Sequence, residues 1–408
     1  MLKKIQAVSF FVSKILLNQL TKNEPVSFFV SKILLNQLTK NEPALPTILS
    51  YDMVIEGFDW GPAVTRLYLE TKNKPATIAL TDFQVSFNRL PGFIPPEGDR
   101  APISQAATIE SASVEGHRII LELQVHPQTG VNPFTFTLAP MGNDWSVPFY
   151  PVITWGSFGT STPPQGAVRL PLTERFDITG TFTHEQVTLQ YAHYTPKGTD
   201  RDLPLIIWLH GAGEGGAHIL LPQAPTVWLQ GTSVWGGVGD VGNYEAALLA
   251  LIDQFIAETG HLDLSRIYIG GCSNGGYMVM RMLLERPALY AAAWPICLVY
   301  PEDWLTDEKL AILKGIPLWL IHDINDGTTP HEDSLRFFNL LREAGASDVH
   351  LTTTDGLFSE EFFDVEGKPW RFDDHWSWIP ALNNVISEEI DSEKISLFAW
   401  MSRQRRPS

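Results

Sequence analysis

Between residues 47 and 155, apolar and polar positions alternate with period 2 in short runs broken by turn residues. VTRLYL at 64–69 and RIILEL at 118–123 are the clearest runs, and TIALT at 77–81 is a weaker one. NKP at 73–75, PG at 91–92 and PPEG at 95–98 separate them. Alternation of this kind puts one face of each strand inside and the other in water. The expectation for 45–155 is an all-β, immunoglobulin-like sandwich, here with no cysteine pair. GSFGTSTPPQG at 156–166 reads as a linker.

Beyond it, from 167 to 402, the period changes. Residues 182–194 suggest an entry hairpin, and LPLIIWL at 203–209 and PLWLI at 317–321 are nearly unbroken apolar runs, as in strands covered on both faces. Leu248, Leu251, Ile252 and Phe255 share one helical face, with Asn243 as cap and Gly260 past the end. Thr329-Pro330-His331-Glu332 reads as a capping box for a helix that Gly345 ends. Strands and helices in alternation predict a doubly wound, mostly parallel α/β sheet.

Residues 1–44 stand apart. VSFFVSKILLNQLTKNEP at 8–25 is repeated letter for letter at 26–43. Two identical copies are too few for a solenoid and point to a recent duplication in the coding sequence. The extension is expected to be weakly structured or a short amphipathic helix. Lys14 interrupts its apolar run and no convincing cleavage site follows, so a signal peptide is not assigned and the compartment, secreted or cytoplasmic, stays open. No run approaches the roughly 18 apolar residues of a spanning helix.

Composition adds three constraints. At 408 residues the chain is too long for one ordinary core, so two domains are the natural expectation. A formal charge of −17 argues against nucleic acid or an anionic membrane surface as partner. The two cysteines, Cys272 and Cys297, form no disulfide framework and read as buried thiols. Nothing here sets the oligomeric state.

Candidate chemistry centres on Ser273, in GCSNG at 271–275, between the apolar run RIYIG at 266–270 and a helix-like stretch at 277–285. A serine on a tight strand-to-helix turn needs small neighbours two places either side, and Gly271 and Gly275 supply them. Its expected partners follow in the chain order of α/β-hydrolases. Asp326 lies in the loop HDINDG after 317–321, with Asp323 as second candidate, and His375 is the only histidine after residue 350. The glycine-rich turn HGAGEGG at 210–216 suits an oxyanion hole, with the N–H groups of Ala212 and Asn274 as donors. Lys-Ser/Thr does not follow it, so it is not a phosphate loop. Glu214, Trp228 and Trp376 are candidate substrate contacts, and neither His322-Asp323 nor His331-Glu332-Asp333 has metal-ligand spacing. No cofactor is expected, and the predicted chemistry is serine-dependent hydrolysis of a small-molecule ester.

Five segments carry a resemblance: GFDWGPAVT at 57–65, HGAGEGG at 210–216, LPQAPTVW at 221–228, RIYIGGCSNGGYM at 266–278 and DHWSWIPALNN at 374–384. Together they resemble a family of bacterial carboxylesterases that joins an N-terminal immunoglobulin-like domain to an α/β-hydrolase domain related to prolyl oligopeptidase. The likeness runs from about 54 to 384. It implies esterase activity on small acyl esters, with the triad at Ser273, Asp326 and His375; the tryptophans near the cleft add aryl esters to the expected substrates. One departure is that only about nine residues separate Leu209 from the next apolar run at 219–221, whereas a parallel crossover needs a dozen or more, so the first helix of the fold is expected to be missing. Rival readings are a feruloyl or polysaccharide acyl esterase, a polyester depolymerase, a peptidase, and, from another class, a polymer- or ligand-binding protein with a decayed hydrolase domain.

Overall fold

The computed structural model describes residues 47–406 apart from 76, 90–102, 129, 139–140, 147, 172, 199–201, 213–234 and 236–243. The duplicated 1–44 extension, the glycines after Ala212, the run at 219–221 with its shortened crossover, Glu214, Trp228 and Asn243 all lie outside these residues.

Two sheets form from the N-terminal alternating runs. One has five strands in the order Gln165–Arg169, Ile48–Phe58, Gly61–Thr71, Arg118–Leu123, Ile109–Glu115. The other has four, Thr160–Ser161, Phe149–Trp155, Phe83–Arg89, Ile103–Ala107. The inward positions of both, including Leu67, Leu69, Leu121, Phe87, Ile153 and Trp155, make one buried cluster. Period-2 patterning thus produces two half-buried sheets face to face. The weak run at 77–81 is not a strand: a single 3-10 turn, Leu80–Asp82, ends it, with the Asp82 carboxylate accepting from Ala79 N–H at 2.7 Å. The stretch 156–166 contributes strand Thr160–Ser161, and Gln165–Arg169 pairs in parallel with Ile48–Phe58. An antiparallel hairpin, Asp177–His184 with Val187–His193, follows.

The C-terminal half carries a five-stranded parallel sheet: β1 (Leu203–Leu209), β2 (Leu262–Cys272), β3 (Ala292–Ile296), β4 (Leu318–Asp323) and β5 (Val349–Thr354), in that spatial order. Helices α1 (Tyr244–Glu258), α2 (Asn274–Glu285), α3 (Asp307–Leu313) and α4 (His331–Glu343) connect the strands. The unbroken apolar run of β4 follows from its two covered faces. Leu318 and Leu320 pack with residues of these helices, whereas Trp319 and Ile321 pack with Leu397, Trp400 and Met401 near the C-terminus. The β1 run differs, since Ile206 is 53% and Trp208 37% exposed. Among the described residues β1 is the edge strand, and no described element covers the face that carries Ile206 and Trp208.

After β5 the chain adds an antiparallel pair, β6 (Phe358–Phe363) and β7 (Pro369–Arg371), then a loop into α5 (Trp378–Leu382). That loop and those following β1, β2 and β4 lie at the carboxyl ends of parallel strands, where open α/β sheets place their ligand sites.

Candidate active site

Ser273 is the sharp corner between β2 and α2. Its backbone has φ 54° and ψ −118°, a conformation that non-glycine residues rarely adopt. Its N–H donates to Ile296 O at 2.8 Å, and its carbonyl accepts from Tyr277 N–H at 3.1 Å. The side chain makes no capping hydrogen bond to α2, so the hydroxyl is not spent on the helix it begins. The two glycines permit the corner. A Cβ at Gly271 would meet the Gly275 backbone at 2.7 Å, and one at Gly275 would be driven into the carbonyl oxygens of Leu209 and His210. The end of β1 is therefore seated directly against the serine turn.

Asp326 and His375 meet across the loops after β4 and β7. His375 Nδ1 lies 2.7 Å from Asp326 Oδ2, with the aspartate side chain fully buried and the histidine 12% exposed. Every acceptor position of Asp326 is supplied. Oδ1 accepts from the N–H groups of Thr328 (2.8 Å) and Thr329 (2.9 Å), and Oδ2 also accepts from Thr329 Oγ1 at 2.9 Å and His322 Nε2 at 3.1 Å. Burial pushes this carboxyl's pKa upward, but the hydrogen bonds from His322, His375 and Thr329 outweigh it and hold the group ionised far below the usual carboxylate range. Thr329 is thereby diverted from the capping box: Pro330 precedes α4, with no side-chain cap bond. Asp323, the second candidate acid, is committed elsewhere. It accepts from Asn325 N–H, Thr354 Oγ1 and Gly356 N–H, and so ties the loop after β5 to the end of β4.

The main chain of the His375 loop is fixed from two sides. His375 N–H donates to Asp373 Oδ1 at 2.9 Å, and Cys297 Sγ lies 3.1 Å from His375 O as its donor. Cys297 directly follows Ile296, the residue that accepts from Ser273 N–H, so the end of β3 holds both the serine turn and the histidine loop. Cys297 itself has φ 43°, another strained position at the site. The expectation of a buried thiol holds for both cysteines; the hydrogen bond to the histidine loop has no signature in the sequence. Cys297, Asp326 and His375 place donor atoms within 4.8 Å of one another. Those atoms are occupied with the short carboxylate–imidazole contact and with the His375 carbonyl, a hydrogen-bonded set and not an open ligand cage.

Of the expected oxyanion residues, Ala212 is half-buried after buried Gly211 at the end of β1, and Asn274 opens α2. Trp235 bridges the two. Its N–H donates to Asn274 Oδ1 at 2.6 Å, its indole Nε1–H donates to His210 O at 2.9 Å, and its ring lies 4.6 Å from the His210 ring. Trp376 packs beside Phe372 and Trp378, and the Trp378 ring meets His375 edge-on at 5.8 Å.

The matches to known proteins agree with this architecture. The prolyl oligopeptidase family model matches residues 239–311, the segment from just before α1 to α3. No curated protein matches the chain. A solved structure of a thermostable esterase superposes with a TM-score of 0.61 at 22% identity, covering 88% of this chain and 100% of that one. Est1E from Butyrivibrio proteoclasticus matches at TM-score 0.30 and 14% identity over 43% of this chain and 88% of its own. An acylaminoacyl peptidase from Pyrococcus horikoshii matches at TM-score 0.34 and 15% identity over 71% of this chain and 50% of its own. The chain has an α/β-hydrolase fold, shared across nearly its whole length with the thermostable esterase.

Proposed function

We propose that this protein is a serine carboxylesterase acting on small acyl or aryl esters, with Ser273 as nucleophile, His375 as base and Asp326 as the acid that orients it. The observation that carries the reading is the buried 2.7 Å contact between Asp326 Oδ2 and His375 Nδ1; a serine held at φ 54° supports it, tied through Ile296 and Cys297 at the end of β3 to the histidine loop. With Nδ1–H committed to the carboxylate, Nε2 is the nitrogen that takes the Ser273 proton. Ser273 Oγ attacks the ester carbonyl, and the N–H groups of Ala212 and Asn274 stabilise the oxyanion, each worth roughly 3 kcal/mol in comparable sites. The positive end of the α2 dipole adds to that stabilisation. Collapse expels the alcohol, protonated by His375. Water, activated by the same histidine, then hydrolyses the acyl-enzyme.

The reading includes the division of the chain into an immunoglobulin-like unit, placed at 45–155 from the sequence and extended by the strands Thr160–Ser161 and Gln165–Arg169, and a catalytic unit after it, with Trp376 near the substrate. Fluorophosphonate labelling of the purified protein tests it: labelling is expected in the native chain and absent in Ser273→Ala. A peptidase reading is favoured by one observation, the family match over 239–311, and comparing ester with N-acyl-peptide substrates separates the two.

A further inference from the structure

His322 takes no part in the steps above, yet it contacts the aspartate that they depend on. Its side chain is fully buried at the end of β4. Nε2 lies 3.1 Å from Asp326 Oδ2, 3.1 Å from Thr329 O and 3.3 Å from Thr329 Oγ1, and Nδ1 lies 2.7 Å from Ser334 Oγ on α4. A carboxylate and a carbonyl oxygen can only accept, so Nε2 carries a hydrogen. In the neutral ring, Nδ1 then takes the hydroxyl hydrogen of buried Ser334. The bonds run in one direction: Ser334 O–H to His322 Nδ1, His322 Nε2–H to Asp326 Oδ2, and His375 Nδ1–H to that same oxygen. A histidine buried only for packing has no reason to share an oxygen with the base.

We propose that His322 is a positioning residue of the hydrolytic site, which acts by donating to the Asp326 oxygen that holds His375 and so sets how strongly that oxygen retains a proton on His375. The proposal rests on the reading of Asp326 and His375 as acid and base. The other titratable groups facing this line are accounted for. Cys297 Sγ is within 4.8 Å of both partners' donor atoms, the His331 ring meets His322 edge-on at 5.6 Å, and Asp373 accepts from His375 N–H. Asp323 is turned to the loop after β5. Asp326 keeps three donors from Thr328 and Thr329 when His322 is changed, so the carboxylate stays in place.

Two amide substitutions split the ring's roles. His322→Asn keeps a polar atom near Nδ1 for Ser334 and withdraws the donor from Asp326, whereas His322→Gln returns a donor near the Nε2 position. His322→Asn is expected to lower kcat/KM at pH 7 by about tenfold through kcat, the worth of one hydrogen bond to a charged group. It is also expected to move the acid limb of the kcat/KM profile to higher pH, because a less shared carboxylate holds the imidazolium more tightly. His322→Gln restores both. NMR titration of ¹⁵N-labelled His375 reads the same displacement without turnover. Ser334→Ala, which frees the ring without touching Asp326, shifts it in the same direction by less. An unmoved limb and an unmoved His375 titration in a folded His322→Asn protein, or in Ser334→Ala should the first not fold, overturn the proposal. Fluorophosphonate labelling of the same samples keeps the two claims apart. Unlabelled wild type defeats the reading of the whole site, whereas labelled wild type with unmoved titrations defeats the role of His322 alone.

Discussion

Ser273, Gly271 and Gly275 show how much backbone geometry a few residues can announce. Only a chain with room two places either side can turn so sharply, and that demand is local, so it is written in adjacent letters. Gly275→Ala tests the point at this scale. Its methyl group would have to displace the backbone carbonyls of Leu209 and His210. The expected outcome is a loss of at least about 2 kcal/mol in urea unfolding, together with a collapse of any esterase rate. His322, Cys297 and Trp235 are not legible in the same way. Each acts through a partner that folding brings to it, and a histidine at a strand end looks the same whether it faces solvent or an aspartate. The one available signal is weak: His322 and Asp326 sit four residues apart in a tight loop.

At the scale of elements, strands buried on both faces are the easiest to read. A strand with one wet face alternates apolar and polar residues, and the run of β4 does not alternate. The β1 run misleads in part, since its outer face is open among the described residues. Gln165–Arg169 escapes a sequence reading as a strand because its partner, Ile48–Phe58, is more than a hundred positions away and the residues before it, GSFGTSTPP at 156–164, are rich in turn residues. Contact between the β1 end and the start of α2 is the element-level feature on which the proposed oxyanion donors depend, and Trp235 fastens it through two hydrogen bonds. Trp235→Phe keeps an aromatic ring and removes the indole donor to His210 O. We expect kcat to fall several-fold with little change in KM, and binding of a trifluoromethyl ketone, which needs the oxyanion donors, to weaken by a similar factor. An unchanged inhibitor affinity would detach Trp235 from the oxyanion side.

For the whole molecule, the N-terminal sheets pack against the loops that follow the parallel sheet. Trp60 stacks on Phe58 and meets Phe362 edge-on at 6.2 Å, His126 Nε2 lies 2.9 Å from Phe363 O, and Asn383 donates to Asp59. Trp60 also packs against the cluster of Leu357, Phe372 and Ile379 behind the His375 loop. The change in hydrophobic period along the chain separates the all-β sheets from the parallel sheet; this contact is not legible, because aromatic residues serve a core and an interface equally well.

Near the C-terminus, His350 lies between Asp348 (2.9 Å) and Glu388 (3.2 Å) on β5, against Trp319 and Trp400. Burial lowers its pKa, but the hydrogen bonds to the two carboxylates dominate and raise it from 6.5 to about 9. A raised folded value stabilises the fold fully below pH 6.5 and loses that contribution as pH climbs through 9. Stability on the order of 3 kcal/mol is therefore expected to drain away across that window, and His350→Gln should flatten this part of the pH–stability curve in chemical denaturation.

The proposed role of Ser273 is that of an activated nucleophile. Its most direct test is to treat the folded, full-length protein with a fluorophosphonate and map the adduct by peptide mass spectrometry. A stoichiometric adduct is expected on Ser273, lost in Ser273→Ala and strongly slowed in His375→Gln. A folded protein that stays unlabelled, or is labelled at another residue, would contradict it.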